Sequence, residues 1–335
     1  METAYLTAAA PIVSFITTYV VTTRWIEAAK NRNLVGRDVN KPYEKYVPEG
    51  GGVGFVIGLT LGALTVVALA TFLVGYELWC LYVLAALNTI LIAAFVGFVD
   101  DVLGWKRGLS HKTKVLSTFP AAIPLMAVKA GVSVMCLPFL GCTNFGILYP
   151  TVIVPVGVVG ATNAFNMLAG LNGLEAGMAA IIFFTLSAIA LAHMKMSAAI
   201  ISLSALGASL AFLKLNWYPA KVFPGDVLTY SAGAAIAASA VLGNMEGPAL
   251  ILFIPYFVEL FLYLYGKKNK VEKESWGRPV GECLEVPYDK PYSVTHLFML
   301  LLKKLKGCAR EYEVVEAILA LEAAIALIVL LVYLG

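Results

Sequence analysis

Apolar residues occur along this chain in runs long enough to cross a lipid bilayer. A transmembrane helix needs ~20 mostly apolar residues, and we count ten such runs. Their predicted bounds are residues 4–26, 51–75, 78–99, 114–130, 147–164, 174–193, 197–213, 224–243, 248–266 and 314–334. The runs are continuous, whereas the strands of a membrane β-barrel alternate between apolar and polar positions. The pattern therefore predicts an all-α polytopic membrane protein whose residues 1–335 form one domain.

Composition agrees with a membrane protein. The 335 residues are 60% hydrophobic and only 13% charged, with a mean hydropathy of +0.83. A soluble domain of this length does not need so much apolar surface. The first run is too long for the apolar core of a signal peptide and ends at Arg24-Trp25, so we expect it to be retained as a span.

The distribution of basic residues predicts the orientation. If ten spans alternate, every Lys and Arg among the 24 except Lys129 and Lys195 falls on one side. The positive-inside rule makes that side cytoplasmic and both termini extracytoplasmic. The cytoplasmic loops are then about 27–50, 100–113, 164–173, 214–223 and 267–313.

Polar residues that bear chemistry lie at the cytoplasmic ends of the spans. Asp100 and Asp101 end the third span, and Lys112 and Lys114 begin the fourth. Acids at the end of a membrane span are costly and commonly functional. The lysines are either snorkelling anchors or cations for a polyanionic substrate. Asp226 opens the eighth span, where it is either a helix cap or a metal ligand.

The segment between the fifth and sixth spans is rich in amides and glycines. Asn163 and Asn166 share one helical face, and Asn172-Gly173 forms a turn. Amides and a broken helix at this depth indicate a polar cavity, the alternative being hydrogen bonds between helices. The acids and amides converge on one membrane face, where we predict the active site.

Two further features leave alternatives open. The glycines around Gly50 to Gly58 either expose N–H groups to a ligand or allow tight helix packing. Cys136 and Cys142 lie in one short loop and either form a disulfide or remain thiols. No CxxC motif or metal-binding cysteine spacing occurs.

The last cytoplasmic segment, 267–313, has two parts. Its first part is predicted to form a strand pair over the site. Residues 293–306 form a basic amphipathic stretch, which predicts an interfacial helix against anionic headgroups.

The residue types indicate metal-assisted phosphoryl transfer to a lipid. Carboxylate and amide oxygens suit Mg²⁺, with Mn²⁺ as a second choice, and leave room for a diphosphate. Phosphoryl transfer requires a metal, cations and positioning. The chain has no P-loop or dinucleotide fingerprint, and we expect no nucleic-acid partner.

Three sequence blocks resemble the polyprenyl-phosphate N-acetylhexosamine-1-phosphate transferases. They are Phe98-Val-Asp-Asp-Val-Leu103, the block from Asn163 to Gly177, and the block from Asn216 to Asp226. Gly36–Lys41, Pro48-Glu49 and Ser293–Gly307 are similar to the branch that makes dolichyl-diphosphate-GlcNAc. The resemblance runs from about residue 31 to residue 307, with the blocks in the same order.

This resemblance implies a role for individual residues. Asp226 and Asn166 would hold Mg²⁺, and Lys114 would pair with phosphate. Asp100 and Asp101 would lie near the acceptor phosphate. Further substrate contacts or supports are implied at the following positions: Asn172 and Gly170 at the uracil, Phe223 stacked on it, Glu49 and Asn163 as supports, and Lys112 and Arg278 as cations.

The implied reaction joins a UDP-N-acetylhexosamine, most simply UDP-GlcNAc, to a polyprenyl or dolichyl phosphate in the membrane and releases UMP. Ala169 stands where the bacterial cell-wall enzymes have aspartate. The Arg-His-Arg cluster of the eukaryotic enzymes is absent between Lys267 and Tyr292. The sugar therefore stays open, and we expect an archaeal cell membrane rather than the endoplasmic reticulum.

Alternatives remain at two levels. The same reaction with another UDP-sugar or an undecaprenyl-type acceptor fits the motifs. A lipid or ion transporter would also have broken polar helices, but its site would lie near the midplane. Family members often form homodimers, although no spacing in this chain indicates a dimer face.

Overall fold

Helices form most of the chain in the computed structural model, which describes residues 5–75, 77–103, 110–137, 141–271 and 274–335. The helices are α1 Ala9–Asn31, α2 Gly52–Leu73, α3 Leu78–Leu103, α4 His111–Thr118, α5 Ile123–Ala127, α6 Val154–Phe165, α7 Leu174–Ala192, α8 Met196–Asn216, α9 Gly225–Gly243, α10 Glu246–Leu252, α11 Ile254–Lys268, α12 Val294–Lys306 and α13 Glu311–Leu334. Lys106, Arg107 and Lys273, which entered the charge count above, lie outside the described residues.

Short strands pair as three antiparallel hairpins in the described residues. They are β1 Val35–Arg37 with β2 Tyr46–Pro48, β3 Val134–Leu137 with β4 Gly141–Asn144, and β5 Arg278–Val280 with β6 Cys283–Glu285. The third hairpin and α12 confirm the strand pair and the amphipathic helix predicted for the last long loop.

The membrane architecture is confirmed, but the number of long spans is lower than predicted. Seven helices of the described chain are long and apolar enough to cross a bilayer: α1 with its preceding turn, α2, α3, α7, α8, α9 and α13. Helices α10 and α11 make an eighth candidate if taken as one span, bent by 55°. The prediction of about ten was therefore slightly high, and the orientation of the termini stays a prediction.

Prolines explain why the predicted span 114–130 is not one long helix. Helix α4 ends at Thr118, a 3₁₀ turn follows over Phe119–Ala122, and α5 has only five residues. Pro120 and Pro124 lack the backbone N–H that would continue the helical ladder. Apolar composition alone does not reveal these breaks.

Prolines also shape the predicted spans 147–164 and 248–266. In the first, a π-helical turn over Tyr149–Ile153 contains Pro150 and precedes α6. The apolar helix from Tyr149 to Phe165 is too short to count as a long span. In the second, Pro255 lies in the first turn of α11, where the chain bends.

Glycines bring α2 against α1. A Cβ at Gly54 or Gly58 would overlap the side chains of Thr22 or Thr18 on α1. The structure thus supports the packing interpretation of this cluster. The N–H groups of the neighbouring Gly51 and Gly52 also donate to backbone carbonyls of the segment that leads into α9.

Four of the five cysteines form disulfides. Cys136 pairs with Cys142 across the β3–β4 hairpin, so the disulfide alternative holds for that loop. Cys283 pairs with Cys308 and ties β6 to the segment after α12, a link that the sequence did not predict. Cys80 is a buried thiol in α3.

The approach of α3 to α9 yields a test of packing. A Cβ at Gly97 would lie only 2.7 Å from the backbone nitrogen of Val227 and would overlap the Asp226 carbonyl. We expect Gly97→Ala to lower the free energy of unfolding by about 1–3 kcal/mol through overpacking. Thermal unfolding of the purified protein in detergent measures this change.

The matched control is Gly157→Ala on α6, where the added methyl group meets nothing within 4 Å. That substitution should leave stability unchanged or raise it slightly, because alanine is the better helix former. Equal melting temperatures for the two variants would contradict the close contact.

Candidate active site

The end of α3 holds the start of α9. Asp101 accepts hydrogen bonds from the backbone N–H groups of Asp226, at 2.8 Å, and Val227, at 3.2 Å. These N–H groups have no partner within their own helix, so the carboxylate caps α9 from another helix. Gly225, at φ +67°, makes room for this carboxylate, since a Cβ there would overlap it. Asp101 therefore positions Asp226.

Lys114 lies between two carboxylates. Its Nζ is 2.6 Å from Asp100 Oδ2 and 2.8 Å from Asp226 Oδ2. Asn166 Nδ2 donates to the same Asp226 oxygen at 3.2 Å, and Asn166 Oδ1 accepts from Thr229 at 2.9 Å. The structure thus brings together five residues that the sequence assigned to the site from four separate segments.

The charges of this cluster leave a place for a divalent cation. The cluster contains three carboxylates, on Asp100, Asp101 and Asp226, and Lys114, which pairs with two of them, supplies its one ammonium among the described residues. No three His, Cys, Asp or Glu side chains of the described residues converge on one metal position. Mg²⁺ commonly binds through one or two protein oxygens and completes its shell with substrate phosphates and water. The hard oxygens of Asp226 and Asn166 fit that pattern.

A cavity of about 620 Å³ lies beside this cluster. Asp226, Asn166 and Thr229 form part of its wall, while Asp100, Asp101 and Lys114 are not among its lining residues. Its volume is typical of a pocket for a nucleotide-sized ligand. Asp226 is therefore shared between the cavity on one side and the Lys114–Asp100 pair on the other.

The cavity offers aromatic surfaces and one cation. Phe223 and Trp276 line it, and both provide flat faces on which a base can stack. Arg37 at the end of β1 is the one basic side chain among its described lining residues, and it has no charged partner in the described structure. An unpaired guanidinium in a cavity next to a metal-type site suits a phosphate.

The loop before α7 is fixed by hydrogen bonds to its backbone. Gly170, at φ +107°, donates its N–H to Glu175 Oε1 at 2.8 Å, and its carbonyl accepts from Asn40 Nδ2 at 2.8 Å. Asn40 Oδ1 also accepts from Gly277 N–H at 3.2 Å. One asparagine therefore joins the loop before α7 to the segment that carries Trp276.

A buried charged network lies under this loop. Lys41 pairs with Glu311 at the start of α13 and with Asp38 at 3.2 Å. Asn172 donates its backbone N–H to Glu311 at 2.8 Å and its Nδ2 to Glu311 and Asp38 at 2.5 and 3.1 Å. All four side chains are almost fully buried. The network ties the first long loop and the last span to the cavity wall.

Of the other predicted site residues, four line the cavity and Asn163 does not. Gly170, Asn172, Phe223 and Glu49 line the cavity, and partial burial raises the pKa of the Glu49 carboxyl above its ordinary value. Asn163 instead donates to Thr118 and to the Val159 carbonyl, which links α6 to α4.

Two predicted cations do not line the main cavity. Lys112 is exposed in the first turn of α4. Arg278 is exposed on β5 and lines a smaller pocket of about 370 Å³, which shares Val39 and Trp276 with the main cavity. Their roles as substrate contacts stay predictions.

Sequence reasoning missed the residues of the first long loop. Arg37, Asp38, Asn40 and Lys41 received no role, although they belong to a block that the resemblance had marked. The spacing of Asp38 and Lys41 permits an ion pair, but nothing local indicates that both are buried. Glu311 was missed because an acid at the start of a span is commonly a simple helix-terminus charge.

The buried network yields a test of stability. Lys41→Met should leave the Asp38 and Glu311 carboxylates buried together without a counter-charge, at a cost of about 3–5 kcal/mol. Thermal unfolding of the purified variant measures the loss. Lys306→Met is the matched control, because Lys306 pairs with Glu313 while its side chain is 58% exposed. Equal melting temperatures for the two variants would contradict the importance of the network.

Comparison with known proteins identifies one matching family and several similar proteins. The family model for glycosyl transferase family 4 matches residues 83–244. A protein of Saccharolobus solfataricus, provisionally named UDP-N-acetylglucosamine–dolichyl-phosphate N-acetylglucosaminephosphotransferase, is 35% identical over 319 residues, which are 95% of this chain and 94% of that protein.

More distant relatives include eukaryotic and bacterial proteins. The UDP-N-acetylglucosamine–dolichyl-phosphate N-acetylglucosaminephosphotransferase of Dictyostelium discoideum is 26% identical over 73% of this chain and 68% of its own. The phospho-N-acetylmuramoyl-pentapeptide-transferase of Halalkalibacterium halodurans is 30% identical over 74% of this chain and 78% of its own. The chain is 35% identical to the Saccharolobus protein over 95% of its length, and the family model matches its central part. The chain therefore belongs to glycosyl transferase family 4.

Proposed function

We propose that the protein transfers N-acetylglucosamine-1-phosphate from UDP-N-acetylglucosamine to a dolichyl or related polyprenyl phosphate and releases UMP. The product would be a lipid-diphosphate sugar, the first intermediate in building a lipid-linked glycan. The names of the Saccharolobus and Dictyostelium relatives support this donor and this acceptor.

The position of Asp226 is the observation that carries the proposal. It forms the wall of a nucleotide-sized cavity and also touches the Lys114 ammonium, which pairs with Asp100 at the end of a membrane span. A reaction between a soluble nucleotide sugar and a lipid phosphate requires such a point, where the two substrates can meet.

The donor would occupy the main cavity. Uracil would stack on Phe223 and contact Asn172 and the Gly170 loop, and Trp276 would close the cavity from the opposite segment. Arg37 would contact the diphosphate with charge-assisted hydrogen bonds, which are stronger than neutral ones. This arrangement directs the diphosphate toward Asp226.

Asp226 and Asn166 would hold Mg²⁺, for which Mn²⁺ could substitute. When bound, the ion would neutralise negative charge that develops on the phosphoryl oxygens during transfer. Asp101 keeps Asp226 in place through the backbone N–H groups of α9. Lys114 adds a second positive charge on the acceptor side of Asp226.

The acceptor would approach from the membrane along α3 and α4. Apolar side chains that flank Asp100 and Lys114 along these helices are exposed, namely Phe95, Phe98, Val102, Val115 and Leu116. A polyprenyl chain could lie against them while its phosphate reaches Lys114. The acceptor phosphate would then be paired with an ammonium at the membrane surface.

The transfer is a single in-line displacement. An oxygen of the acceptor phosphate forms a bond to the sugar-linked phosphorus of the donor. The bond between that phosphorus and the bridging oxygen breaks, and the electron pair leaves with UMP. The acceptor oxygen is already anionic, so the residues need to position and neutralise charge rather than remove a proton.

The apolar helices and the similarity to the Saccharolobus protein support a reaction in a membrane, and we propose the cell membrane. The active site would face the cytoplasm, where nucleotide sugars are made. We also propose that the protein forms a homodimer, which a measurement of its oligomeric state in detergent would test.

Release of UMP by the purified protein in detergent tests the proposal. The mixture contains polyprenyl phosphate and Mg²⁺ or Mn²⁺, with UDP-GlcNAc, UDP-GalNAc or UDP-Glc in separate reactions. We expect UMP only with UDP-GlcNAc, only with lipid, and not in the presence of EDTA. Folded protein that releases no UMP from any of these donors would overturn the proposal and favour a transporter.

Two variants in the same assay test the site. Asp226→Ala removes the carboxylate shared by the two halves of the site. Asp101→Asn turns an N–H group toward the backbone donors of α9 and should displace Asp226. Each should lower the rate of UMP release by at least about a hundredfold. Asp289→Asn, a change at an exposed residue that lines neither pocket, is the control. Turnover like the wild type in either site variant would refute its assigned role.

Arg37 yields a separate prediction about the donor. Arg37→Ala should raise the KM for UDP-GlcNAc by about tenfold or more, since hydrogen bonds to charged groups contribute about 1.5–3 kcal/mol. Its effect on UMP binding should be smaller, because UMP lacks the second phosphate. Arg32→Ala is the matched control, because Arg32 is exposed in the same loop but does not line the cavity. An unchanged KM would exclude Arg37 from the donor site.

A further inference from the structure

The orientation of the Asn172 side-chain amide is fixed by charge. Its Nδ2 donates to Glu311 Oε1 at 2.5 Å and to Asp38 Oδ2 at 3.1 Å, and its backbone N–H also donates to Glu311. Both hydrogens of Nδ2 are therefore used on carboxylates. A flipped amide would place Oδ1 against the same two carboxylates, acceptor against acceptor, so the flipped orientation is strongly disfavoured.

The other end of the amide is left for a ligand. Asn172 lines the main cavity and is 4% exposed, and its Oδ1 is buried without a hydrogen-bond partner among the described residues. A buried carbonyl oxygen without a partner costs free energy unless a ligand supplies a donor. Since Nδ2 faces the carboxylates, a ligand group that reaches the end of this amide would meet an acceptor and not a donor.

We propose that Glu311 and Asp38 are positioning residues for nucleotide selectivity, because they fix the Asn172 amide with its oxygen toward the base. The acceptor oxygen suits a ring N–H, which uracil has at N3. Cytosine has an unprotonated acceptor at the same place and would leave two acceptors facing each other. This inference rests on the proposed function, in that the cavity binds a uridine nucleotide.

Lys41 neutralises part of the negative charge of Glu311 and Asp38. Its ammonium pairs with both carboxylates and lies 4.3 Å from the centre of the Tyr218 ring. Two carboxylates and one ammonium leave an excess negative charge, which the three N–H groups of Asn172 help to satisfy. Selectivity for the base is thus connected to the start of the last span, since Glu311 is the first residue of α13.

Glu311→Gln tests the proposal. A glutamine amide can either accept from or donate to Asn172, so the Asn172 amide is free to turn. Binding of UMP and of CMP to the purified full-length protein in detergent is measured by titration calorimetry. We expect the wild type to prefer UMP by at least about tenfold, the scale of one unsatisfied buried polar group. In Glu311→Gln that preference should fall by about tenfold, with CMP bound more tightly than by the wild type.

A gain in CMP affinity separates positioning from a general structural role, because loosening the fold would weaken both nucleotides. Glu322→Gln is the matched control, the same change on the same helix at a buried glutamate that accepts no hydrogen bond from Asn172. It should keep the wild-type preference. Asp38→Asn provides a second variant, with the same expected direction, if Glu311→Gln does not fold.

The outcomes distinguish this inference from the proposed function. Wild-type protein that prefers UMP, with variants that keep its preference or lose both nucleotides equally, would overturn the positioning role and leave the function intact. Wild-type protein that binds UMP and CMP equally would also overturn the positioning role. Wild-type protein that binds neither nucleotide would overturn both.

Discussion

The hydrogen bonds from the first turn of α9 to the Asp101 carboxylate hold the site together. They join the end of one span to the start of another, in a position where unpaired N–H groups and an unpaired carboxylate would each be costly. The glycines at positions 97 and 225 let the two helices come close enough for this contact. Asp226 is fixed as a consequence, and the other polar groups gather around it.

Buried hydrogen bonds and ion pairs hold the residues of this arrangement in one geometry. Asp101, Lys114, Asn166 and Lys41 have each exchanged water for specific partners, so moving one of these groups leaves another unsatisfied. Lys114 joins two carboxylates, Asn40 joins two backbone segments, and Lys41 pairs with Glu311, a residue 270 positions away in the chain. Preorganised charges of this kind are what phosphoryl transfer requires, since its transition state is stabilised mainly by position and charge.

Much of the membrane fold could be predicted from the sequence, because apolar run length is a strong signal. Helices α2, α7 and α9 lie within a residue or two of the predicted spans. The predicted single span over residues 114–130 was wrong because prolines interrupt the helix there, although the apolar composition is typical of a helix. Acids and amides at span ends indicated the Asp100–Asp226 centre because such residues are conspicuous in apolar surroundings.

The charged network was beyond sequence reasoning for a physical reason. Lys41 and Glu311 are 270 positions apart in the chain, and no periodicity connects them. The orientation of the Asn172 amide is still harder to predict from the sequence, because it depends on which atoms surround the side chain in the folded protein. Residues of the metal-type centre carry a local signature, whereas Asp38 and Glu311, which orient the Asn172 amide, do not.

The place of Asp226 between two separate walls has a consequence for how such proteins diverge. The cavity wall is drawn from residues 35–40, 49, 166–175, 216, 223–229 and 276, whereas the flank proposed for the lipid belongs to α3 and α4. Changes on one wall need not disturb the other, so a lineage can acquire a new carrier lipid while it keeps its nucleotide, or the reverse. One reaction centre can thus be inherited intact while its two substrates evolve independently.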